Sequence, residues 1–308
     1  MATLKELSSK PELFASGHRA CAGCLAAVGI HEVLRATNKD VVVGFATGCM
    51  EVISTIFPYT SWEIPYIHVA FENAAAVVSG AEAAYRAFKK KGKIDKDINF
   101  IAFGGDGGTY DIGLQSLSGA MERGHNMLYV CYNNQAYMNT GVQRSSATPF
   151  AANTATEPTG KASFGKKQFP KDLTEIMVAH GIPYVAQVAV HHWKDVTAKV
   201  EKALSIKGPK FINLLAPCTL GWKFNAEEGL EISRLAADTC IWPLYEVENG
   251  VYKLSYKPKE RKPVIEWFEG QGRFKHLLKT DEGRKLVEEY QVEIDKKWNR
   301  LVSLSEKK

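Results

Sequence analysis

The sequence predicts an α/β fold, a doubly wound parallel sheet. Three observations carry that reading. From residue 41 to 217, short runs rich in β-branched residues alternate with longer helical patterns. The short runs are apolar almost throughout, as strands covered on both faces are, and do not alternate apolar with polar. At the end of one of them stands a turn of glycines, in the place where open α/β sheets bind ligands.

"DVVVGFATG" reads as the first strand, and "AFENAAAVVSGAEAAYRAFKKKG" as a helix of small residues closing on Gly92. "INFIAFGG" is the next strand, "TYDIGLQSLSGAMERG" a helix ending at Gly124, and "NMLYVCYNN" a strand. Residues 143 to 170 are rich in Thr, Ser, Pro and Gly and show little periodicity; a loop of that length inside a compact domain marks function or disorder. After it come "DLTEIMVAHG" as helix, "YVAQVAV" as strand, "WKDVTAKVEKALSI" as helix and "PKFINLLAP" as strand. Beyond residue 218 the character changes. "YKPKERKPV" reads as an extended connector, and a terminal helix puts Leu286, Tyr290, Ile294, Trp298 and Leu301 on one stripe, a packing face. The expected organisation is an N-terminal segment over 1–40, an α/β domain over 41–217 and a C-terminal extension over 218–308.

The 308 residues, 45% of them hydrophobic, suffice for a large core. Net charge is +5, yet acids and bases are interspersed, and Lys89, Lys90 and Lys91 read as the solvated end of a helix. No nucleic-acid partner is expected. The start, "MATLKELSSKPELF", has no long apolar segment, and no apolar run is long enough to span a bilayer. A cytoplasmic protein away from the membrane is therefore expected. Its six cysteines should then stay reduced, and their spacing reports metal binding or catalysis.

The glycine turn is "GGDGGTYDIG", with Asp106 between Gly105 and Gly107–Gly108. It is not the dinucleotide fingerprint, because Tyr110 replaces the third glycine, and no Gly-Lys-Ser/Thr follows to make a P-loop. An aspartate facing a phosphate needs a cation between them, and magnesium, which takes oxygen ligands, suits it. A bare βα turn with Asp106 capping the next helix is the structural alternative. Asn134, at the end of the following strand, can supply a second oxygen. Gly-Asp-Gly followed after one helix and one strand by Asn-Asn resembles the diphosphate-binding motif of thiamine diphosphate enzymes. That resemblance implies Mg²⁺ held by Asp106, the Asn134 side chain and the Ala136 carbonyl, with Gly105, Gly107 and Gly108 admitting the diphosphate.

Cys21 and Cys24 stand in "GHRACAGC", Cys49 in "FATGCMEV" and Cys218 in "LLAPCTLGW". Cys49 and Cys218 follow strands at the same carboxyl edge as Asp106. Four thiolates converging there can hold zinc or an iron–sulfur cluster, and spacing does not choose between them. Beside thiamine only the cluster has a redox use. Cys131 and Cys240 lack partners at useful spacing and read as buried apolar residues.

Together "GHRACAGC", "ATGCMEV", "HVAFENAAAV", "GGDGGTYDIG", "NNQAYMNTGVQRSSATP" and "LAPCTLGW" resemble the β subunit of the 2-oxoacid:ferredoxin oxidoreductases, pyruvate type, to which the oxalate oxidoreductases are related. The resemblance implies a thiamine diphosphate-binding fold and a 4Fe–4S cluster on Cys21, Cys24, Cys49 and Cys218. It places Asn139 beside the reacting carbon as the catalytic residue. It further implies an α subunit supplying the aminopyrimidine-binding domain, a ferredoxin-like subunit with further clusters, and ferredoxin as acceptor. The substrate is then a small 2-oxoacid, pyruvate with coenzyme A by default, or oxalate without it. Leu25, Ala26 and Ala27 stand where relatives often carry glycine and an acidic residue, so no contact of that acid is carried over. A thiamine decarboxylase with structural zinc and an electron-transfer subunit without thiamine are the readings of another class.

Overall fold

The computed structural model describes residues 3 to 306. Helices α1 (Leu4–Ser8) and α2 (Leu25–Arg35) lead into β1 (Asp40–Ala46). Next come α3 (Cys49–Ser54), β2 (Tyr66–Val69), α4 (Ala74–Lys90), β3 (Ile98–Gly105), α5 (Leu114–Glu122) and β4 (Leu128–Asn133). A small hairpin, β5 (Thr159–Gly160) with β6 (Ser163–Phe164), interrupts the long segment. Then follow α6 (Leu173–Ala179), β7 (Tyr184–Ala189), α7 (Trp193–Ser205) and β8 (Lys210–Leu215). The chain ends with α8 (Thr219–Trp222), α9 (Gly229–Asp238), β9 (Tyr245–Glu248), β10 (Val251–Leu254), α10 (Val264–Glu269) and α11 (Asp281–Glu306).

The sheet runs β10-β9-β7-β8-β4-β3-β1-β2. Its six strands from β7 to β2 are parallel, and β9 and β10 add antiparallel at one edge. Every residue of β4, β7 and β8 is buried, the reason these runs are continuously apolar. Val130 packs in one core with residues of α2 and α7, while its neighbours Tyr129 and Cys131 pack in another with residues of α4, α5 and α6. Both faces are thus covered, as the sequence predicts. The chain steps from β1 outward to β2 and returns past β1 to β3. The direction of winding therefore reverses between β1 and β3, and a crevice opens at their carboxyl ends.

Two expectations need adjusting. The helix foreseen over 109–124 begins as a π-helical turn, Gly107–Ile112, before α5. Gly113 N–H reaches back to the Gly108 carbonyl at 2.8 Å, and a Cβ on Gly113 would stand 2.2 Å from that oxygen. Only glycine permits the wide turn, a feature that gathers at functional sites. The C-terminal extension also contributes two strands to the main sheet, where the sequence reading places none. On α11, Tyr290, Ile294, Trp298 and Leu301 are buried as foreseen, with Leu286 half-buried beside them.

Candidate functional site

The residues singled out in the sequence lie at the ends of neighbouring parallel strands: Cys49 after β1, Asp106 after β3, Asn134 after β4 and Cys218 after β8. Asp106 is fully buried. Ser145 Oγ donates to its Oδ2 at 2.5 Å, and the Asn134 backbone N–H to its Oδ1 at 3.2 Å. Burial, only partly offset by these bonds, pushes its carboxyl up to about 7. The two asparagines ending "CYNN" divide their labour. Asn133 turns into the core, its amide donating to Tyr110 Oη at 2.9 Å. The side-chain oxygen of Asn134 lies 2.9 Å from Asp106 Oδ1 and 2.9 Å from the Ala136 carbonyl.

In that orientation of the Asn134 amide three oxygen acceptors gather, two of them 2.9 Å from the third. Octahedral magnesium, with Mg–O near 2.1 Å, holds adjacent ligand oxygens about 2.9 Å apart, so the three donors fit that ion. Turning the Asn134 amide end for end instead lets its nitrogen donate to both neighbours.

Tyr137 covers the glycine turn, its hydroxyl donating to the Gly107 carbonyl at 2.8 Å. A Cβ on Gly107 would stand 2.4 Å from the Tyr137 ring, and one on Gly108 would stand 2.9 Å from the Phe71 carbonyl. The missing side chains are already required by the protein's own packing. Gly107→Ala should therefore displace Tyr137 and cost about 1–3 kcal/mol, read as a lowered midpoint in denaturant unfolding. An unchanged midpoint would refute the contact. Asn139 is exposed, on the rim of a cleft that also includes Gly48, Cys49, Gly105, Gly108 and Asn134.

Beside the oxygen site lie the four cysteines. Cys24 caps the N-terminus of α2 and donates its N–H to the Cys21 carbonyl at 3.1 Å. Cys218 caps α8, its Sγ accepting the Gly221 N–H at 3.4 Å. Thr219 Oγ1 donates to the Ala22 carbonyl at 3.4 Å, holding the Cys21–Cys24 turn against α8. Burial pushes the Cys49 thiol up to about 12, helped by the nearby Cys218, Cys24, Asp106 and Cys21. Burial also raises Cys24 and Cys218, against backbone N–H groups that favour the thiolate. Such thiols lose their protons only to a cationic group placed among them. Among the described residues, no three His, Cys, Asp or Glu stand close enough to share one metal ion. A group with several irons needs its sulfurs farther apart than a single ion does, and the donor set, four thiols with N–H support, fits it. Cys131 and Cys240 are buried away from this group.

Sequence reasoning missed several neighbours. Asp111, inside the run that reads as a helix over 109–124, accepts the Ser146 N–H at 3.0 Å and pairs with Lys171 at 3.4 Å. Together with Ser145 it pins the long segment to the glycine turn. The "SSATP" run carried a signal for this, since Ser and Thr side chains close local turns: Ser145 N–H donates to Thr148 Oγ1 at 2.9 Å. Trp222 Nε1 donates to the Asn134 carbonyl at 2.7 Å, a contact across 88 positions that no local pattern announces. A cavity of about 250 Å³ lies elsewhere, between α6 and α11. The cations on its wall are paired: Lys171 with Asp111, Lys297 with Glu293, and Arg300 with Glu175.

Pyruvate synthase subunit PorB of Methanocaldococcus jannaschii is 56% identical over 283 residues, 91% of this chain and 94% of that protein. The chain belongs to the PorB family of pyruvate synthase subunits. PorB of Thermotoga maritima is 50% identical over 307 residues, covering 98% of the chain and 95% of that protein. Residues 46–214 match the thiamine pyrophosphate enzyme C-terminal TPP-binding domain, within the α/β region foreseen from the strand pattern. The solved 2-oxoglutarate:ferredoxin oxidoreductase of Magnetococcus marinus covers 73% of the chain and 78% of its own, with a TM-score of 0.52 at 18% identity, a likeness of fold. PorB membership agrees with the family read from "GGDGGTYDIG" and the four cysteines. Among the described residues no helix is long and apolar enough to cross a membrane.

Proposed function

We propose that the chain is the β subunit of a thiamine diphosphate-dependent pyruvate:ferredoxin oxidoreductase. The observation that carries this reading is the adjacency of two donor sets: the oxygens gathered at Asp106, and four cysteines, of which the half-buried Cys49 feels the charges of Asp106 and of the other three. Asp106, the Asn134 side chain and the Ala136 carbonyl hold Mg²⁺. Gly105, Gly107 and Gly108 lie beside the diphosphate. Cys21, Cys24, Cys49 and Cys218 ligate a 4Fe–4S cluster, and Asn139 stands at the reacting carbon. Bound thiamine diphosphate supplies the carbon nucleophile and electron sink for oxidative decarboxylation, and the cluster supplies a one-electron outlet toward ferredoxin. This chain's residues orient those groups and keep Asp106 from water. A zinc decarboxylase leaves the electrons without an outlet, and a pure electron carrier leaves the facing oxygens unexplained. The reduced cysteines suit the cytoplasm.

The PorB relatives are named pyruvate synthase subunits, which supports pyruvate as the substrate, and coenzyme A is its co-substrate in this reading. The intact complex should reduce ferredoxin with pyruvate only when coenzyme A is present. Turnover of oxalate without coenzyme A, and none of pyruvate, would reassign the substrate.

A partner α subunit completes the site. Only one Gly-Asp-Gly turn occurs, and the residues after Cys218 form helices and the strands β9 and β10 of the same sheet, not a second α/β unit for the aminopyrimidine. The purified chain should show no pyruvate-dependent ferredoxin reduction until the α subunit is added. Reduction by the verified single chain would overturn the subunit reading.

A further inference from the structure

Arg273, from the segment between α10 and α11, is buried, with a relative exposure of 2%. Its guanidinium lies 3.8 Å from the Trp222 ring centroid and 4.9 Å from that of Phe274. Its bonded partners are neutral. Nε donates to Gln271 Oε1 at 2.9 Å and an Nη to Gln135 Oε1 at 2.7 Å. No carboxylate pairs with it among the described residues, although burying an unpaired cation is costly. Burial lowers its pKa well below the ordinary value, and the charges that work against this, favouring the cation, are those of Tyr290, Cys218 and Asp106.

Gln135 lies between two of the facing oxygens, those of Asn134 and Ala136. Its φ is +66°, a left-handed conformation that costs a non-glycine residue free energy and needs outside support. The support is visible. Thr148 Oγ1 donates to the Gln135 carbonyl at 2.7 Å, Gln135 N–H donates to Asn133 Oδ1 at 3.0 Å, and Arg273 holds the side chain. Trp222, on which Arg273 stacks, holds the Asn134 carbonyl and ends the helix that Cys218 caps. The C-terminal segment thereby grips the oxygen site from the cysteine side.

We propose that Arg273 is a positioning residue with two actions, fixing the Asn134–Ala136 turn for the metal and supplying the buried positive charge that the cysteine group faces. The inference rests on the proposed oxygen and sulfur sites. It adds a residue that touches neither cofactor and acts on both. Loss of the grip should weaken Mg²⁺-dependent thiamine diphosphate binding by about 10–100-fold, the usual effect of removing a support behind a metal ligand. Loss of the charge should make the cluster harder to reduce, since reduction adds negative charge opposite Arg273.

The test uses the intact complex with iron content measured first, so that absence of iron in the wild type would fault the cluster assignment and not this inference. Thiamine diphosphate affinity is read by fluorescence at fixed Mg²⁺, and the cluster by spectroscopically monitored redox titration. Arg273→Gln, at full iron content, should lose affinity and shift the oxidised-to-reduced ratio at fixed potential about tenfold, which is about 59 mV for one electron. Gln135→Ala should reproduce the affinity loss and leave the potential in place. Arg273→Lys, which keeps the charge, should also leave the potential in place. Affinity within about threefold of wild type in Arg273→Gln or Gln135→Ala would overturn the grip. An unmoved potential in Arg273→Gln, or an equal shift in Arg273→Lys, would overturn the charge. If Arg273→Gln fails to assemble, Gln135→Ala decides the grip, and Arg273→Met, a second neutral variant, decides the charge by the same readings.

Discussion

Cys218→Ala is expected to strip iron from the assembled complex and abolish pyruvate-dependent electron transfer, while Cys240→Ala leaves both close to wild type. Each side chain is largely withdrawn from water and each follows a helix or strand of the C-terminal half, so burial alone does not separate them. Surroundings do. Cys218 lies where its charge is felt by Cys49, and it accepts an N–H from the first turn of α8. Cys240 sits in the core formed with Ile232, Trp242 and Leu244, and the charges that act on it are those of Arg261 and Asp238. Removing its sulfur should cost about 1 kcal/mol of packing, no more than a small core truncation. Removing the Cys218 sulfur takes away one of four donors that hold the same group, and the group is lost or left labile. Equal iron content in the two variants, measured by chemical assay and visible absorption, would show that Cys218 is not a ligand.

Much of this site was legible because its chemistry sits at strand ends, and strand ends are what local patterns report best. An apolar run followed by glycines marks both the end of β3 and the place of Asp106 at its carboxyl edge, and the ends of the runs before them locate Cys49 and Cys218 in the same way. What escaped was carried by contacts between distant segments. Nothing near Arg273 announces that it will stack on Trp222 or bond to Gln135, 138 positions away. Asp111 lies in the run 109–124, whose pattern is helical, and the π turn at its start brings it to Ser146. The hairpin of β9 and β10 is a different kind of miss. Asn249–Gly250, both at positive φ, join two alternating strands, a strong hairpin signal in the sequence itself. The edge strand β10 is charged because it borders water, with Lys253 exposed.

Asp106→Asn is expected to stabilise the metal-free chain and, in the same variant, to destroy Mg²⁺-dependent thiamine diphosphate binding. The folded protein raises the Asp106 pKa from 3.8 to about 7, chiefly by burial. Between those values the folded state binds a proton that the unfolded state has released, so stability falls as pH rises through this window. With a shift of about three units, the loss is on the order of 4 kcal/mol by pH 7, and none of it is present below about pH 4. A neutral amide at position 106 removes that dependence, so the variant without metal should melt higher at pH 7 and no higher at pH 4. Magnesium reverses the order, because it binds the carboxylate and stabilises only the folded wild type by mass action. Proton and metal compete for the same oxygen, so wild-type Mg²⁺ affinity should fall about tenfold for each pH unit below about 7. Melting curves at pH 4 and pH 7, with chelator and with Mg²⁺ plus thiamine diphosphate, should therefore cross: the variant is the more stable protein without the cofactor and the less stable with it. A cofactor-induced rise in midpoint as large in the variant as in the wild type would remove Asp106 from the metal site, and with it the reason a buried carboxylate is kept at the centre of a glycine turn.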